Sequence, residues 1–159
     1  MSDQPDPVQS GETALLKGLP HFVSDGHFWI AAILGPVVWL GLWILSGMPA
    51  VPGMALSVFL GSVILYPVIE ELAFRGFIQS WLLEKPVWTR MVLFKISRAN
   101  VLTSFMFAAL HLFNQPLLWA ALIFLPSLVF GYLRERFDAV TPCILIHCWY
   151  NLGFLWLFS

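Results

Sequence analysis

The chain has 159 residues, 59% of them hydrophobic and only 11% charged, with a formal net charge of −1. A soluble domain carries about 25% charged residues, so this chain lacks the polar surface that keeps a globule dispersed in water. Its near-zero charge also excludes bulk attraction to nucleic acid, while an aromatic content of 16%, with eight Trp, suits side chains that settle at membrane interfaces.

Residues 1–27 (MSDQPDPVQSGETALLKGLPHFVSDGH) are polar, acidic and rich in Pro and Gly. They lack the basic start and apolar middle of a signal peptide and read as a mostly disordered cytoplasmic tail. A membrane-spanning helix needs about 20 largely apolar residues, and residues 28–47 supply the first. After a short turn, MPAVPG, residues 54–83 form a segment that would run about 45 Å if straight. Pro67 is predicted to kink or break it. Gly53, Ser57 and Gly61 recur every four residues there, a stripe that permits close helix packing in lipid. The polar stretch EKPVWTRMVLFKIS follows as a loop. Residues 98–113, 116–133 (with Pro126 inside) and 141–158 give three more helices. Cys143 and Cys148 fall in the last of them, without disulfide or zinc-site spacing, and read as buried apolar fillers.

The predicted fold is therefore an all-α polytopic transmembrane bundle of about five spans, over residues 28–159. Basic residues support that count. Lys85, Arg90, Lys95 and Arg98 flank the loop between helices two and three, and Arg134 and Arg136 lie between helices four and five. The other two turns carry no Lys or Arg. Five spans put both basic loops on one side, which places the N-terminus in the cytoplasm. The expected location is a bacterial cytoplasmic (inner) membrane.

Almost no charge remains inside the helices except Glu70, Glu71 and Arg75. A central charge costs about 2.5–3.5 kcal/mol on insertion scales, so these three need partners or a wet cavity. Glu71 and Arg75 are four apart and share a helix face. Glu70 lies about 100° round the axis and needs another partner. His111 on helix three, and His147 with Asn151 on helix five, are candidates, and Asn114 could join His111. Counted from the basic side, Glu70 and His111 lie roughly 20 Å deep, with Asn151 and His147 somewhat shallower, so the groups can meet in one layer. A histidine, an Asn or a Glu–Arg pair taken singly is as well explained by packing. Three helices carrying such groups at matching depth favour a functional site. The residue types suit peptide hydrolysis. A carboxylate can take a proton from water, and His147 and Asn151, one turn apart, present two donors to one developing oxyanion. Cys148 is next to His147 and points elsewhere, and no GxSxG is present.

Three runs carry a resemblance: EELAFRG (70–76) looks like an EExxxR motif, FAALH (107–111) like FxxxH, and HCWYN (147–151) like HxxxN. In this order, each on its own helix, they resemble the type II CAAX prenyl protease and bacteriocin-processing family, glutamic intramembrane proteases of the Rce1 type. The resemblance spans about residues 54–155. It implies that Glu70 is the general base, helped by His111. His147 and Asn151 would stabilise the oxyanion, and Glu71 and Arg75 would hold the site. It implies no cofactor and no metal, and a membrane-associated protein or peptide as substrate. The chain is short for the family, so elements that bind a prenyl group are in question, and short bacterial relatives that process C-terminal sorting tails (myxosortase-like) offer another reading. Two rivals stand beside it: a zinc or iron protease using Glu70, Glu71, His111 and His147, although HExxH is absent, and a non-catalytic binding or immunity protein.

Overall fold

A computed structural model describes residues 21–46 and 55–158. The tail up to residue 20, the MPAVPG turn and Gly53 lie outside the described residues. Five long helices follow one another: α1 (Gly26–Ser46), α2 (Leu56–Leu83), α3 (Arg98–His111), α4 (Leu117–Phe137) and α5 (Thr141–Phe158). The protein is a helical membrane bundle. Three of its helices, Gly26–Leu45, Leu56–Leu83 and Leu117–Phe137, are long and apolar enough to cross a membrane by length and composition. α3, with 14 residues, is shorter.

Local chemistry sets the helix ends. α1 starts two residues before the apolar run because the Asp25 carboxylate accepts the His27 backbone N–H at 2.8 Å. Ser97 caps α3 by accepting from Asn100 N at 3.0 Å. α3 stops at His111, whose carbonyl accepts from both Asn114 N and Gln115 N. Asn114 therefore sits in an exposed turn, not on the helix face with His111. α4 runs past its expected end at 133, because Arg134 and Arg136 suit the negative end of a helix. It stops where Asp138 turns left-handed, at φ 49°.

α2 runs through Pro67 without a break. Phe59–Leu65 and Leu72–Gln79 are π-helical, on either side of the α-helical turn Tyr66–Glu71. Tyr66 N–H bonds five residues back, to Gly61 O. A proline has no N–H to donate and crowds the preceding turn; wider winding ahead of Pro67 relieves that conflict without interrupting the helix.

The loop after α2 contains a hairpin, β1 (Met91–Leu93) antiparallel to β2 (Ile96–Ser97). Phe94 takes the tight position at φ 51°.

α2 and α4 run parallel, with matching polar stripes at four-residue spacing: Arg75 and Gln79 on α2 meet Ser127, Gly131 and Glu135 on α4. α3 closes on α4 through Asn100 Nδ2, which donates to Leu128 O at 3.0 Å. A Cβ on Gly131 would collide with that Asn100 amide, so glycine is needed for the approach. α1 packs on α5 through Tyr150 Oη to Ala31 O (2.6 Å) and Trp149 Nε1 to Ala32 O (2.9 Å). An apolar core of Phe22, Phe28, Phe130, Leu133 and Ile146 joins α1, α4 and α5. Phe22 comes from the end of the tail, and its neighbour Asp25 pairs with Arg136 at 2.6 Å. That pairing holds the Asp25 carboxyl down to about 2. Cys143 is buried in this core as expected, whereas Cys148 is only half-buried.

Candidate active site

The π turns and the α turn between them place Glu70, Glu71 and Arg75 on α2. Arg75 Nε lies 3.3 Å from Glu71 Oε2, with both side chains fully buried. The pair foreseen from the i, i+4 spacing is present. Arg75 then reaches α4, where Nη2 donates to Ser127 O at 2.8 Å and to Ser127 Oγ at 2.6 Å. Its guanidinium carbon lies 4.6 Å from the Phe107 ring centre and 5.5 Å from that of Phe130. Among the described residues Nη1 makes no hydrogen bond; the two ring faces are its electrostatic partners.

His147 on α5 completes the cluster. Its Nδ1 lies 2.8 Å from Glu71 Oε1. An ionised carboxylate only accepts, so this contact places a proton on Nδ1. Nε2 is thereby the atom turned to Glu70, at 3.7 Å from Oε2, too long for a direct hydrogen bond. The two adjacent glutamates have different surroundings. Glu71 is fully enclosed, while the Glu70 side chain keeps 26% of its surface open. Phe130 stacks on the His147 ring (4.7 Å, 19°) and Phe107 meets it edge-on (5.7 Å).

His111 also meets the Phe107 ring, with ring centres 4.8 Å apart. Its Nδ1 lies 2.8 Å from Phe107 O, one turn back, and a carbonyl likewise only accepts. Among the described residues His111 has no direct bond to Glu70. Asn151, one turn beyond His147, donates Nδ2 to Ser62 O at 2.9 Å. Its amide carries a second hydrogen. α5 is thus bonded to α2 at two levels, by His147 to Glu71 and by Asn151 to Ser62.

Four of the six expected residues (Glu70, Glu71, Arg75 and His147) form one linked network. His111 adjoins it through a shared aromatic wall, and Asn151 sits one turn further along α5. Among the described residues no three His, Cys, Asp or Glu side chains converge as metal ligands.

A second polar layer escaped sequence reasoning. Gln79 Nε2 donates to Gly131 O (3.0 Å) and to Glu135 Oε1 (2.8 Å), and Ser97 Oγ donates to the same carboxylate oxygen at 2.6 Å. Arg134 Nη2 donates to Ser80 Oγ at 2.9 Å. The signal was there in part: Glu71, Arg75 and Gln79 extend one stripe on α2, and Ser127, Gly131 and Glu135 form another on α4.

The sequence model of the family described as type II CAAX prenyl endopeptidase, Rce1-like, matches residues 52–153. The chain belongs to that family. No curated protein and no solved structure matches it. The matched span holds all six candidate residues, α2 to α4 and most of α5, while α1 lies wholly outside it. Membership makes this Rce1-like chain a membrane protease, with proteins or peptides as substrates. The candidate cluster lies among helices whose outer surfaces are apolar: Leu56, Phe77 and Trp81 on α2 and Phe105 on α3 are all exposed.

Proposed function

We propose that this chain cleaves a peptide bond near the C-terminus of a membrane-associated protein, using a glutamate-activated water. Glu70 is the general base. The observation that carries this is the facing pair of Glu70 Oε2 and His147 Nε2 at 3.7 Å, backed by a buried Glu71–Arg75 pair. A water set to one side reaches both atoms at hydrogen-bonding distance. Glu70 takes its proton as the oxygen adds to the scissile carbonyl. His111, with Nδ1 given to Phe107 O, keeps Nε2 to orient the water or relay the proton. With His147 as the imidazolium, Nδ1–H to Glu71 and Nε2–H on the side of Glu70, the oxyanion accepts from Nε2–H and from the second hydrogen of Asn151 Nδ2. The proton held by the Glu70–His111 pair passes to the amine as the C–N bond breaks. Glu71 and Arg75 act at one remove, fixing the orientation of the His147 ring through Nδ1–H. The substrate is a protein tail, as in CAAX processing or sorting-tail removal, and the membrane is a bacterial inner membrane.

The test is Glu70→Gln in the purified, reconstituted chain. Removing a general base should lower cleavage by about 100- to 10,000-fold with the folded yield unchanged, because Glu70 is the more open of the two glutamates. Full activity in Glu70→Gln would sink the proteolytic reading in favour of a binding protein. Loss of wild-type cleavage in chelator, restored by zinc, would move the chemistry to a metal.

A further inference from the structure

On the outside of the bundle, away from the proposed site, the hairpin loop, α3 and α4 enclose an open groove of about 340 Å³. Trp88 and Val92 from the loop, Val101 and Phe105 from α3, and Phe124 from α4 line it with apolar surface, and Arg98 is its one charged lining residue. Arg98, Val101 and Phe105 stand at i, i+3 and i+7. One face of α3 therefore runs from a cation into an apolar channel over about 10 Å. The mouth is ordered by the backbone: Arg98 N bonds to Arg90 O at 2.9 Å, and Ala99 N to Trp88 O at 3.0 Å. Arg90, Lys95 and Arg98 are all exposed, and none pairs with a carboxylate among the described residues.

An apolar groove on the outer face of a membrane bundle meets lipid chains, so the headgroup decides which lipid stays. A zwitterionic headgroup leaves three cations without net compensation, and an anionic one supplies it. We propose that the groove binds one anionic glycerophospholipid. The phosphate sits at Arg98, flanked by Arg90 and Lys95, and an acyl chain follows Val101 and Phe105 toward Phe124. This inference does not depend on the proteolytic reading, since neither Glu70 nor His147 takes part.

The experiment uses the full chain in detergent with equal amounts of phosphatidylglycerol and phosphatidylcholine, and native mass spectrometry to read the lipid retained. The wild type should retain phosphatidylglycerol at least five-fold over phosphatidylcholine. Arg98→Gln should lower that preference about five-fold, the value of one cation near an anionic surface. Val101→Trp, which fills the groove and keeps every cation, should lower retention of either lipid. Glu70→Gln should leave all of this unchanged. Equal retention of both lipids by the wild type overturns the proposal. So does a Val101→Trp variant that binds like the wild type, because the effect is then surface charge alone. Displacement by an equal concentration of soluble glycerol phosphate does the same, since the chain then contributes nothing.

Discussion

Glu71 is held through both of its oxygens, one by Arg75 at 3.3 Å and the other by His147 at 2.8 Å. Neither it nor Arg75 has any contact with solvent. Taking such a group out of a membrane interior leaves its partner as an uncompensated buried charge. Arg75→Met should therefore lower stability by about 3–5 kcal/mol, measured as thermal unfolding in detergent. Arg75→Lys should fall between that variant and wild type: the charge returns, but a single ammonium cannot reproduce the planar contact to Ser127 and the two Phe rings. An unfolding temperature for Arg75→Met equal to wild type would contradict this account. The charged residues were legible in the sequence because each is costly in an apolar helix and has to be answered. Ser127 was not, because a serine in a membrane helix is common and gives no sign of its partner.

Helices α2, α3 and α4 meet through small and polar groups beside the Phe74–Phe107 ring pair. Gly131 is where Asn100 lies directly on the α4 backbone. Gly131→Ala should cost about 1–3 kcal/mol, in the range of overpacking. Combining it with Asn100→Ala should recover part of that loss, because the colliding amide is gone. A strictly additive double mutant, read from the same unfolding curves, would show that the two do not touch. The five helices themselves were plain from apolar run lengths. Their ends were less so, since the charged turn at Arg134 to Arg136 continues α4 in the way a loop sequence would interrupt it. The hairpin at 91–97 was missed because its strands span only three and two residues, too short for alternation to register. The π turns of α2 were missed as well. Sequence periodicity marked Pro67 as a fault in the helix, but not the change of winding that absorbs it.

Across the whole molecule, the end of the bundle that carries Arg134 and Arg136 also carries the start of α1, joined to it by Asp25. Asp25 is held at about 2 against an ordinary 3.8. A lowered carboxyl stabilises the docked segment fully above the ordinary value and stops doing so as pH falls through 3.8 toward 2. Hydrogen exchange of residues 21–25 should thus be slow and constant from neutral pH to about 5 after correction for the intrinsic rate, and rise in stronger acid. Asp25→Asn should exchange fast throughout, and a wild-type segment already open at neutral pH would refute this docking. The same end holds the basic loop 84–97, and we propose from its Lys and Arg that this end faces the cytoplasm. A cysteine introduced at Thr89 should resist impermeant label applied outside intact cells and react after lysis. Labelling in intact cells would invert the orientation.

The winding of α2 limits how this chain can vary. A site built on a regular helix tolerates changes of residue type but keeps its geometry when the chain is lengthened beyond it. Here the angle between Ser62, which receives Asn151, and Glu71, which receives His147, is set by the number of residues between them and their winding, π-helical to Leu65 and α-helical from Tyr66. Loss of a single residue between the two anchors, with the winding otherwise kept, would swing one anchor about 100° from the other. α5 could then meet one of them but not both. The count of residues ahead of Pro67, as much as their identity, is part of what specifies the site.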